Sequence, residues 1–131
     1  MRKVLIGLLV FGCSIYGYVW NANRSEGPIT YLDYAYTLES EVDTIEVNYV
    51  AWACACANWL PVGQIGNDTN CIFIEAANHS VLPEEFHNNE YTIKLVGKFY
   101  EDRGISRDYQ KPTSQKPEHA KIFQYLYYEI L

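Results

Sequence analysis

From Val42 the chain alternates. Ile45, Val47, Tyr49 and Ala51 hold one set of positions and Thr44, Glu46 and Asn48 the other. Apolar residues at every second position set one face of an extended strand against a core and the other against water. Past Val50 the polar set gives way to Trp52, Cys54 and Cys56. The pattern predicts one long first strand reaching toward Trp59, either buried on both sides at its far end or swapping faces at a bulge near Val50. Tyr91 to Tyr100 repeats the alternation, with Ile93, Leu95, Gly97 and Phe99 inward. A glycine inside that run marks a bend or a close backbone approach. Cys71 to Ala76 reads as a short strand. Ala120 to Leu131 reads as a final one, apolar on both faces and so expected at the centre of the sheet.

Between these lie weaker signals. Ile29 to Leu38 is aromatic enough for a short strand. Asn58 to Asn70, with Pro61, Gly63 and Gly66, is a loop. Val81 to His87 predicts one or two helical turns: Pro83 suits the first position, Glu84 and Glu85 the positive end, and Leu82 can meet Phe86 across a turn. Glu101 to His119 is a long polar loop holding Gly104, Pro112 and Pro117. A bent strand, two more strands, a short helix and two closing strands is the order of a small five-stranded OB-like barrel. One strand of that order must come from Ile29–Leu38 or from within Asn58–Asn70. A β-sandwich is the alternative. The run Gly97-Lys98-Phe99-Tyr100 followed by Ala120-Lys121-Ile122-Phe123 resembles small bacterial lipoprotein domains of OB-like topology and uncharacterised function.

The first residues belong to a different pattern. Arg2 and Lys3 precede an eight-residue apolar core, Val4 to Phe11, which suits a signal peptide and falls far short of the roughly 20 residues a spanning helix needs. Val10-Phe11-Gly12-Cys13 resembles a bacterial lipobox, with an aliphatic residue three before the cysteine and a small one before it. The resemblance implies cleavage after Gly12 and acyl chains such as palmitate on Cys13. Membrane attachment would then come through those chains. Ser14 rather than Asp after the cysteine favours the outer membrane. The expected organisation is a signal peptide over 1–12, a tether over 13–28 and a β domain over 29–131. Tyr16, Tyr18 and Trp20 in the tether could alternatively sit at the lipid interface.

Removing Arg2 and Lys3 from the ten cations leaves eight against sixteen acids, a net of −8. That charge disfavours nucleic acid as a partner. Twelve tyrosines and few alanines outside one stretch favour strands.

Candidate chemistry centres on cysteine. With Cys13 lipidated, Cys54, Cys56 and Cys71 remain. On a straight strand Cys54 and Cys56 would point the same way with Cα atoms about 6.5–7 Å apart, at the limit for a disulfide. A bridge from Cys71 to one of them is therefore expected, closing a loop of about fifteen residues and contributing about 3 kcal/mol. The other reading is a thiolate site for zinc or copper from Cys54, Cys56, Cys71 and His79, or a redox module on the three cysteines. His79, His87 and His119 lie in or beside loops and are expected to be solvated. Nucleophile-elbow, phosphate-loop and His-Glu-x-x-His motifs are absent. Tyr100, Arg103, Arg107 and Tyr109 border the loop that flanks the ligand face in OB barrels, and are the candidates for meeting an acidic or carbohydrate partner. The sequence thus favours a non-enzymatic envelope module that needs no cofactor and presents barrel loops to a protein or carbohydrate.

Overall fold

The computed structural model describes residues 27–51, 54–63, 70–110 and 115–131. The signal-peptide, lipidation and tether expectations, Cys13 included, fall outside the described residues. Five strands form a single curled sheet: β1 (Asp43–Tyr49), β2 (Trp59–Pro61), β3 (Phe73–Ala76), β4 (Thr92–Phe99) and β5 (Ile122–Ile130). Their order across the sheet is β2-β1-β4-β5-β3. Neighbours are antiparallel except β3 and β5, which run parallel. Among the described residues the two edges meet at one place, an antiparallel bridge between Trp59 and Ile72. That connectivity matches the OB-like topology read from the sequence, as a curled half-barrel whose edges touch at this pair.

The missing strand is β2, inside the expected Asn58–Asn70 loop. It is three residues long, too short to show a period, and Pro61 ends it. Two expectations are corrected here. Ile29–Leu38 is not a strand: Tyr31–Asp33 forms a 3-10 turn, and Leu38 makes only an isolated bridge to Tyr100. This segment straps the end of β4, with Glu39 N–H donating to the Phe99 carbonyl and Ile105 N–H to that of Asp33. The first strand is also shorter than expected. It stops at Tyr49, and the Val50 amide turns to the Asn58 carbonyl to begin a hairpin connection into β2. The segment over Val81–His87 contains one 3-10 turn, Glu84–Phe86. No helix among the described residues is long and apolar enough to cross a membrane.

β5 is an internal strand, hydrogen-bonded to β4 on one side and β3 on the other, while the middle strand is β4. Nor is β5 buried on both faces throughout, because Leu126 and Tyr127 are exposed. Its faces do not follow strict alternation. Val96 pairs with Tyr127 and Gly97 with Tyr125, leaving Leu126 as the extra residue of a bulge and 58% exposed. The slip lets Phe123, Tyr125, Tyr128 and Ile130 all pack in one core with Val47, Ile93 and Leu95. An unbroken period of two would have turned the last two away. Gly97 sits opposite the bulge, where any Cβ would collide with the Gln124 carbonyl oxygen. The close approach expected at Gly97 is there.

A second core lies on the other side of the sheet. Leu60, Phe73 and Ile122 from the strands, with Cys71 just before β3, meet Ala35 of the strap and Ile105 of the β4–β5 loop. Loop and strap therefore cover one face while Leu82 and Phe86 pack into the other core.

Candidate functional site

Two loops frame a cleft of about 460 Å³ beside the Trp59–Ile72 bridge. One is the β1–β2 connection carrying Cys54, Cys56 and Asn58; the other is the β4–β5 loop carrying Ser106, Asp108, Tyr109 and Gln110. These are the two loops that flank the ligand face of an OB barrel. Tyr49, Trp59 and His87 also line it and pack as a triad. Tyr49 stacks on His87 at 5.5 Å between ring centroids, and Trp59 meets both edge-on at 5.2 and 5.3 Å. Tyr109 is held against Phe73 at 5.5 Å. Its hydroxyl is buried with no hydrogen-bond partner among the described residues, and burial pushes its pKa up.

The loop wall is fixed by three consecutive residues laid along β3. Ser106 Oγ donates to the Ile74 carbonyl at 2.7 Å, and the Ala76 amide donates to Asp108 Oδ2 at 2.6 Å. Between them the Arg107 amide donates to Glu75 Oε2 at 2.9 Å. In a strand, the backbone groups of Ile74 and Ala76 face away from the β5 side used by Phe73 and Ala77. β2 is too short to reach them, so the loop's side chains cover this open edge.

Glu75 anchors the arrangement. Its side chain is 5% exposed, and Arg107 Nη1 lies 3.1 Å from Oε1. The Tyr100 hydroxyl donates to Oε1 at 2.6 Å while accepting from Arg107 at 3.2 Å and from Gln124 at 2.9 Å. Arg107 Nη2 reaches the Ala35 carbonyl at 2.9 Å, and the guanidinium lies 5.1 and 5.0 Å from the Tyr34 and Tyr36 ring centroids. Burial, together with the Glu75 carboxylate, pushes Tyr100 up to about 12. Tyr125 is also pushed up to about 12 by burial; its hydroxyl accepts the Leu82 amide at 2.8 Å.

The four residues taken from the sequence as partner contacts are thus separated. Tyr109 lines the cleft. Tyr100 and Arg107 are engaged with Glu75, and Arg103 lies apart, donating to the His119 carbonyl at 3.3 Å. Among the described residues lining the cleft there is no Lys or Arg, whereas Glu84 and Asp108 are there. Ser106, Asp108 and Glu75 are the residues that sequence reading missed. A lone acid within the apolar run Cys71–Ala76 was the available signal, since a buried carboxylate requires a paired cation.

The expected Cys71 bridge is corrected. Cys54 bonds Cys56, and Cys71 lies outside the disulfide, buried in the second core. The strand argument failed because residues 54–56 are bent, which brings the Cα atoms to 5.5 Å, well inside disulfide range. The bond also removes two thiolates from the zinc or copper set that included His79. Among the described residues no three His, Cys, Asp or Glu side chains are placed to hold a metal ion. Nor are all three histidines simply solvated: His87 joins the aromatic triad and His119 meets Asp33 at 2.9 Å, while His79 is exposed.

Asp33 fastens the strap on the far side of this loop. Lys116 Nζ lies 2.7 Å from its Oδ1, and the Thr30 amide donates to Oδ2 at 2.7 Å. Burial alone would raise its pKa. The hydrogen bonds from Lys116, Thr30 and His119 outweigh burial and hold the carboxyl well below the usual carboxylate range.

Compared with family models, curated proteins and solved structures, the chain matches none. The architecture, a mainly β five-stranded OB-like half-barrel, therefore stands on its own geometry.

Proposed function

We propose that this chain is a cell-envelope lipoprotein, anchored through acyl chains on Cys13, whose OB-like domain is a non-enzymatic binding module. Its ligand is an uncharged stretch of a partner polypeptide, received between the β1–β2 and β4–β5 loops. The observation that carries this reading is the cleft itself, placed between the two loops that bind ligands in OB barrels and lined by Tyr49, Trp59, His87 and Tyr109. The absence of Lys and Arg among its described lining residues disfavours the acidic partner expected from the loop's cations. A carbohydrate is less well served, because sugars use open ring faces. Here Tyr49 is stacked on His87, Trp59 is 4% exposed, and Tyr109 packs on Phe73.

Selection from a random-peptide display library tests the binding reading. Bound peptides should shift the amide resonances of Asn58, Tyr109 and Gln110 and leave those of Glu90 and Glu101 unmoved. Binding of neutral glycans with no peptide binding would sink it. Labelled palmitate should be incorporated by the wild-type chain and lost in Cys13→Ser; equal labelling of both removes the anchor.

A further inference from the structure

We propose that the Cys54–Cys56 disulfide is a thiol-exchange site, accepting two electrons from a pair of cysteine thiols on a polypeptide seated in the cleft. This rests on the polypeptide reading of the cleft and adds to it a stoichiometric exchange, one disulfide for one dithiol, without catalytic turnover.

Three observations meet at this bond. Both cysteines line the cleft, with Cys54 exposed and Cys56 half-buried, so an incoming thiolate has a direct approach. Only Ala55 separates them. Cross-links constrain the unfolded chain in proportion to the logarithm of the loop they close, so this one contributes little to holding the fold together. The cysteine suited to a long-range staple, Cys71, is buried in the core outside the bond. The chain has therefore placed its disulfide at a ligand-facing loop and kept a cysteine in the core out of it. Exposed disulfides are the exchangeable kind.

The chemistry balances as two displacements. A substrate thiolate attacks Sγ of Cys54, the better exposed sulfur. The Cys54–Cys56 bond breaks and Cys56 leaves as a thiolate, giving a mixed disulfide between Cys54 and the substrate. The second substrate thiolate attacks the substrate sulfur of that bond, forming the substrate disulfide and releasing Cys54. The substrate dithiol is oxidised by two electrons, the protein disulfide is reduced, and the two protons lost by the substrate thiols end on Cys54 and Cys56.

Two arms test this on membrane-extracted full-length protein. In the first, glutathione buffers of graded ratio are followed by acid quench, alkylation and peptide mapping. Cys54 and Cys56 should be reduced together, as the alkylation reports, and should re-form their bond when the ratio is reversed, while near-ultraviolet circular dichroism stays native. A disulfide that resists reduction until the native signal is lost overturns the proposal. In the second, a synthetic peptide with two cysteines should yield one peptide disulfide per Cys54–Cys56 pair reduced. Offered the oxidised peptide, Cys56→Ser should trap a mixed disulfide at Cys54 about tenfold faster than Cys54→Ser traps one at Cys56, following access. Equal trapping overturns the assignment of Cys54 as the attacked sulfur. Exchange with glutathione without preference for the peptide supports the exchange site and overturns the polypeptide reading, so the two failures are separable.

Discussion

Arg107 and Glu75 form an ion pair at 3.1 Å that reaches from the β4–β5 loop to the middle of β3. The same arginine ties the Ala35 carbonyl of the strap and lies against the Tyr34 and Tyr36 rings. One side chain thereby joins strand, loop and strap. Because Glu75 is buried and Arg107 is partly exposed, the pair's value lies less in Coulomb attraction than in the hydrogen bonds that satisfy a buried carboxylate. Glu75→Ala should cost about 2 kcal/mol, since it strands the Tyr100 hydroxyl and the Arg107 amide. Arg107→Lys should cost about 1 kcal/mol, losing the second guanidinium nitrogen that reaches Ala35. Urea unfolding midpoints measure both, and unchanged midpoints would show the pair to be incidental.

Gly97 lies against the Gln124 backbone beside the β5 bulge. A methyl group there must push two paired strands apart. Gly97→Ala should destabilise by about 3 kcal/mol, read as a fall in thermal midpoint. Gly63→Ala, where nothing lies within 4 Å of an added Cβ, carries only the strain of its positive φ.

The pH dependence has two limbs of opposite sign. Asp33 is held below its ordinary range in the folded state, so the unfolded chain binds its proton more readily. The stability it contributes is present above about pH 4 and is lost progressively as pH falls from there toward the depressed folded value. Asp33→Asn should flatten that acid limb in a series of urea midpoints. Tyr100 and Tyr125, both pushed up to about 12, act at the other end. Here the folded state keeps its protons longer, so stability is present below pH 10 and falls as pH rises toward 12. Phenolate absorbance should show Tyr100→Phe removing a late-titrating tyrosine; loss of an early one would contradict the assignment.

Tyr109 gives a prediction of gain. Its hydroxyl is buried and lacks a partner among the described residues, and an unsatisfied buried hydroxyl costs about 1–3 kcal/mol. Tyr109→Phe keeps the packing on Phe73 and should raise stability by about 1 kcal/mol. A loss in the unfolding midpoint would mean that the hydroxyl has a partner.

The mainly β class, the two alternating strands β1 and β4, the internal place of β5 and the crowding at Gly97 were all legible in the residues alone. Each is a local matter of period or of a missing Cβ. The same alternation overran the first strand, because Trp52, Cys54 and Cys56 continue a period of two that the backbone abandons at Val50. β2 escaped notice because three residues carry no period. Glu75 was visible as a lone acid among apolar residues, but its partners are thirty-two residues away at Arg107 and twenty-five away at Tyr100.

What closes the sheet, which cysteines bond and which residues line the cleft were settled by the folded chain. The Trp59–Ile72 bridge, the bent Cys54–Cys56 loop and the docking of Ser106 to Asp108 on β3 all depend on where distant segments meet. Periodicity reports which way a side chain points along its own strand. It carries no information about which loop will arrive opposite it.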